Sequence, residues 1–216
     1  MISEADKADY FRLADAFVRL WRNHGQFGQF VDVKTGRLLV GGSCAGAIAP
    51  AGLVMAAQRF DQPIYQEVGA AVAKMYFEEY VRNGLTTGGA GEILSAPDSE
   101  PVFALMESFV ALMDCDDDPY WIEAARETLR LAATWVVSYD YQFPPNSDLA
   151  KSGAKTTGAV WANVQNKHAA PSICTLSGEG LFRYWRRSGD SLALELLHDI
   201  AHGIPQYLSR EDRPLN

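Results

Sequence analysis

Cysteine is scarce in this chain, and the three present, Cys44, Cys115 and Cys174, are widely spaced. An odd number with no C-x-x-C pair fits neither a disulfide framework nor a structural zinc site. Clustered base is scarce too. The net charge is −8, and the densest basic stretch is Arg183-Tyr184-Trp185-Arg186-Arg187. Phosphate backbones demand more Lys and Arg than this, which argues against a nucleic-acid partner. The stretch reads instead as a solvated helix face with Tyr184 and Trp185 turned inward. No apolar run reaches the length of a membrane span. The opening residues Met1-Ile2-Ser3-Glu4-Ala5-Asp6-Lys7 are acidic and helical, unlike a signal peptide. Neither a phosphate loop nor a dinucleotide fingerprint occurs. What remains is globular composition, 48% hydrophobic and 21% charged over 216 residues. That is enough for one core, read as a single domain over 1–216. A soluble protein is expected, with no cofactor, no metal and no membrane partner.

Against these absences stands one repeated feature. An Ala-Pro pair occurs at Ala49-Pro50, Ala96-Pro97 and Ala170-Pro171, each after a loop rich in glycine or small polar residues. Each pair precedes an apolar helical stretch, a break containing Asp, and a second helical stretch. Pro50 and Pro97 lie 47 residues apart and Pro97 and Pro171 lie 74 apart, the excess matching a polar, aromatic-rich insertion at 141–168. A hairpin repeated at such a period is the mark of stacked helix pairs that share one core.

The spacing predicts a helix over 4–23, with Tyr10, Leu13, Ala14, Phe17, Val18 and Trp21 at i, i+3, i+4 positions, ended by Gly25. A small β-hairpin follows over 27–40, turning at Lys34-Thr35-Gly36. Three helical hairpins then pair 48–60 with 63–82, 98–114 with 119–138, and 172–187 with 190–208. Asp118 is placed to cap the helix that Pro119 starts. The second helix of each hairpin carries more charge and reads as the outer one. The fold class is therefore all-α: helical hairpins with one short β-hairpin, in an open solenoid or a closed α/α toroid. Elaborate loops occur only before inner helices, which favours the toroid, with function gathered on one rim.

The blocks Gly41-Gly42-Ser43-Cys44-Ala45-Gly46-Ala47-Ile48-Ala49-Pro50, Gly88-Gly89-Ala90-Gly91-Glu92-Ile93-Leu94-Ser95-Ala96-Pro97-Asp98-Ser99-Glu100, Gln165-Asn166-Lys167-His168-Ala169-Ala170-Pro171 and Ser209-Arg210-Glu211-Asp212-Arg213-Pro214 resemble an uncharacterised bacterial group of six-hairpin-glycosidase-like proteins. The chain, with about three and a half hairpins, resembles an internal portion of longer members. The resemblance implies an α/α toroid and a bias toward carbohydrate. It assigns no catalytic residue.

Chemistry is sought in two places. Asp98 and Glu100 open an inner helix, with Glu92 just upstream. Glycosidic hydrolysis needs two carboxyl groups, one to protonate the leaving group and one as base or nucleophile, so Asp98 and Glu100 are the catalytic candidates. Acids in a first helical turn also serve simply as caps and dipole partners. The insertion supplies aromatic and amide groups of the kind that grip sugars. Trp161, Gln165, Asn166 and His168, with Glu92, are its substrate-binding candidates. Cys44 and Cys174 lie near rim loops and would either join His168 in a thiol or metal site or, as cysteines more often do, fill small buried spaces. His198-Asp199-Ile200-Ala201-His202 resembles H-E-x-x-H but has Asp for Glu and no third ligand, so it reads as an ordinary pair.

These residues lead to a glycoside hydrolase acting on an oligo- or polysaccharide. Two alternatives stand beside it. A polysaccharide lyase would use a Tyr or His base, with Lys151, Lys155 and Lys167 to attract uronides. A non-catalytic helical-repeat module would bind a protein partner. Apolar residues at both ends, on 4–23 and 190–208, lead to the expectation of a homo-oligomer.

Overall fold

A computed structural model describes residues 4–88, 94–211 and 214. Helix dominates. The first helix, α1 (Glu4–His24), buries Ala14 and Val18, and Gly25 closes it with φ of +63°. Strands β1 (Phe30–Val31) and β2 (Leu38–Val40) form an antiparallel hairpin. Its turn is held by Asp32, whose Oδ1 accepts the N–H groups of Lys34 and Thr35.

Helices α2 (Ala49–Phe60) and α3 (Pro63–Glu79) form the next hairpin. They approach closely at Gly69, where a Cβ would lie 3.2 Å from the Pro50 carbonyl. Helix α4 (Glu100–Met113) is the centre of the molecule, with every residue buried except Glu100 and Glu107. A helix apolar all round belongs in a core, and α4 packs on α2, α3, α5 and α7. One polar group inside it has a defined task. The Ser108 hydroxyl donates to the Ala47 carbonyl at 2.7 Å and accepts the Ala51 N–H at 3.2 Å. Ile48 offers α2 no side-chain cap, so α4 satisfies one of the unpaired donors at the start of α2.

Helix α5 (Pro119–Ala133) starts as the sequence predicts, with Asp118 accepting the Tyr120 N–H at 2.9 Å. It ends five residues before the predicted limit, because Val136 and Val137 are drawn into backbone bonds with the insertion. That insertion is more ordered than expected. It contains a short helix α6 (Asp148–Lys151) and strand β3 (Ala159–Trp161), which pairs with β4 (Ala169–Pro171) in a second β-hairpin. The third Ala-Pro pair thus lies in a strand and does not open a helix. Helix α7 (Glu179–Ser188) begins seven residues later than predicted, and α8 (Ser191–Gly203) follows. The mainly helical class holds, but the expectation of one β-hairpin gives way to two.

Two further contacts fasten the insertion. Asp140 Oδ1 accepts the N–H groups of Thr156 and Thr157, and Lys155 lies 3.1 Å from Oδ2. The Thr157 N–H, then Lys155, lower the Asp140 pKa to about 2. Gly158 then lies against the backbone of Asp199 and Ile200 in α8, with no room for a Cβ. No helix among the described residues is long and apolar enough to cross a membrane.

Candidate functional site

The site is built from four backbone segments laid side by side at the start of α4. Asp98 N–H donates to the Thr86 carbonyl at 2.9 Å, and the Thr86 hydroxyl donates back to the Asp98 carbonyl at 2.7 Å. On the other side, Ser99 donates through both N–H and hydroxyl to the Ala162 carbonyl, each at 2.9 Å. Val164 N–H reaches Pro97, and Ala162 N–H reaches His168. Residues 97–99 are thereby clasped between 86–87 and 162–164, with 168 beyond. The arrangement places Asp98 directly opposite Asn163 in an antiparallel bridge, the closest side-chain neighbours a ladder allows.

Both of these side chains are deep: Asp98 is 2% exposed and Asn163 3%. Asp98 Oδ1 accepts the Glu100 N–H at 2.8 Å, so the carboxylate meets the positive end of the α4 dipole. Asn163 Oδ1 accepts the Asn166 N–H at 2.7 Å and so turns the chain toward His168. From the third side comes the loop 172–176, where Ser172, Cys174 and Leu176 take left-handed φ values of 52°, 64° and 54°. Such conformations cost about 1–2 kcal/mol each for residues with a Cβ. All three line one space.

That space is a cavity of about 660 Å³, lined by Asp98, Glu100, Asn163, Asn166, His168, Ser172, Ile173, Cys174 and Leu176, with the Ala162 segment as floor. Within it an oxygen of Asp98, an oxygen of Glu100 and the Sγ of Cys174 all lie within 4.8 Å of one another. Glu100 stands at the exposed edge. Partial burial, and then the charge of Asp98, raise its pKa above the ordinary glutamate value. The Cys174 thiol is also raised, by burial first. The arrangement suits proton transfer, since a carboxyl group whose pKa is raised stands beside a second carboxyl group. The three groups have the types and separations to hold a cation, although the raised thiol would first have to lose its proton.

Of the residues that the sequence singles out, Asp98, Glu100, Asn166 and His168 line this cavity. Trp161 does not: its N–H is tied to the Trp135 carbonyl and it pairs with Ala169 in the β3–β4 hairpin. Gln165 is exposed and also lies outside the lining. Glu92 lies outside the described residues. Lys151, Lys155 and Lys167 are exposed, and none of them lines the cavity. Asn163 was only one polar residue among many in the insertion, and its burial opposite Asp98 carries no local signal. Cys174 is in the cavity, whereas Cys44 is buried against the Thr87 backbone, its thiol pushed up to about 11 chiefly by burial. His198 and His202 stack on an exposed face of α8 with ring centroids 6.3 Å apart. Neither a family model nor a curated protein matches the chain.

Proposed function

We propose that this chain is the catalytic-site portion of a glycoside hydrolase, its helical hairpins forming part of an α/α toroid with the site on the rim. The observation that carries the reading is the carboxyl pair at the start of the central helix, with oxygens of Asp98 and Glu100 within 4.8 Å in an open cavity. A cavity of about 660 Å³ is within the usual range for small-molecule sites. Asn163, Asn166 and His168 supply oriented donors and acceptors for sugar hydroxyls.

The separation favours retention over inversion. Inverting enzymes hold their carboxyl groups about 6.5–9.5 Å apart to admit a water, and retaining enzymes about 5–5.5 Å. In the first step Glu100 protonates the leaving oxygen while an oxygen of Asp98 bonds to the anomeric carbon and the glycosidic C–O bond breaks. In the second, the Glu100 carboxylate takes a proton from water, the water oxygen displaces Asp98, and Glu100 is protonated again. The raised pKa of Glu100 fits the first role. A lyase is less well supported, because among the described residues no Lys or Arg lines the cavity to attract a uronate.

The test is a screen of aryl glycosides and polysaccharides, with D98N and E100Q beside the wild type. Turnover should fall about 100-fold or more in either variant, with wild-type products of retained configuration. Sugar bound but never cleaved by the wild type would make the chain a binding module. Equal turnover in all three proteins would remove the carboxyl pair from the mechanism.

A further inference from the structure

The candidate site borders a second cavity on the side of the 172–176 loop. Leu176 lines its cavity and also lines a second one of about 760 Å³ between α1 and α2. This second space is a furrow walled by Tyr10, Leu13 and Phe17 of α1, by Ile48 just before α2 and by Met55 within it. Its walls are apolar and yet open to solvent: Leu13 is 59% exposed and Met55 64%. The one ionisable group in the lining apart from Tyr10 is Glu107, whose carboxylate accepts the Gly180 N–H at 3.0 Å. Beyond Met55 the furrow continues past Gly52 and Ala56 to Phe60. Ile48 to Phe60 spans about 18 Å along a helix.

Gly52 makes the furrow informative. It sits inside α2, its φ is not left-handed, and a Cβ there would meet nothing within 4 Å. Neither a turn nor close packing requires glycine at this position, in contrast to Gly69. A glycine inside a helix costs about 1 kcal/mol relative to alanine. Its effect here is to leave the floor of the furrow bare.

We infer that the site takes an amphiphilic glycoside, with its sugar in the polar cavity and its apolar aglycone running past Leu176 along the furrow. The inference rests on the carbohydrate reading of the polar cavity and names the substrate class for it. About 18 Å long and lined mainly by apolar side chains, with Glu107 and Arg59 as its charged groups, the furrow matches an alkyl or similar apolar chain. No further polar partner is needed along it.

The test compares methyl, n-hexyl and n-octyl glycosides of one sugar that the wild type turns over, each below its micelle concentration. KM should fall about fourfold for each methylene added until the furrow is filled. Gly52→Leu fills the floor and favours the helix, so the octyl-to-methyl preference should collapse toward one. Met55→Lys, at a solvent-exposed wall, should reduce the same preference without touching the core. Turnover with no dependence on chain length overturns this inference and leaves the hydrolase intact. An unchanged octyl preference in Gly52→Leu also overturns it, as does light scattering that shows a dimer split by Met55→Lys, because a second copy would then occupy the furrow. If no glycoside is turned over, the hydrolase reading fails and this inference falls with it.

Discussion

Replacing Gly158 by alanine tests whether the insertion is seated on α8, on which the position of Asn163 depends. Gly158 has φ of +86°, and a methyl group there would fall onto the Asp199 carbonyl and within 3.0 Å of the Ile200 nitrogen. Neither obstacle can yield by rotating a side chain, because both are backbone. Gly189 provides the control, since its φ of +69° is also left-handed but nothing lies within 4 Å of its would-be Cβ. Gly189→Ala should therefore cost only the left-handed conformation, about 1–2 kcal/mol. Gly158→Ala adds overpacking of about 1–3 kcal/mol, for a total of about 2–5 kcal/mol. In a domain of this size each kcal/mol lowers Tm by about 2–4 °C. Thermal melts followed by circular dichroism should then place Gly158→Ala several degrees below Gly189→Ala. Limited proteolysis should cut the variant first within 141–158. If the two variants melt together, the insertion does not rest on α8 and the clasp around Asp98 loses its support.

Ser108→Ala strands the Ala47 carbonyl and the Ala51 N–H in the core. The loss should be about 1–3 kcal/mol, read as a reduced urea midpoint at unchanged m-value. An unchanged midpoint would mean that water or repacking replaces the hydroxyl. Glu100 should give the protein a pH signature, because its folded pKa is raised. Its contribution is fully present below the unfolded glutamate pKa, about 4.3, and is lost as pH rises through the folded value. Stability of the wild type relative to E100Q should fall across that interval, and parallel pH curves would refute the shift. Cys44, buried and with its thiol pushed up to about 11, should be the last of the three cysteines to be alkylated in the native protein. Labelling of Cys44 ahead of Cys115 and Cys174 would contradict its placement.

The helices were legible because their signals are local. Apolar positions at i, i+3 and i+4 mark α1, and Asp118 with Pro119 marks the start of α5 to the residue. Lys34-Thr35-Gly36 marks the first hairpin turn in the same way. The same reasoning misled at Ala170-Pro171, because proline suits the end of a short strand as well as the first turn of a helix. What settled the matter was pairing with Ala159 to Trp161, eight to twelve residues away. Trp161 was misplaced for a related reason: composition marks an aromatic residue as useful for sugar but does not say which side of a strand it occupies.

By itself, the sequence determined that the chain is mainly helical, that its helices pair in hairpins, and that acidic residues stand at the start of the most apolar helix. Periodicity, capping and proline geometry act within a few residues, so a linear reading captures them. Only the tertiary structure decided which loops meet at that helix. Asn163 lies opposite Asp98 through backbone bonds between segments more than 60 residues apart, and Cys174 comes within reach of both carboxyl groups. The furrow beside them lies between α1 and α2 and is left bare at Gly52, a fact of packing that neither helix carries alone.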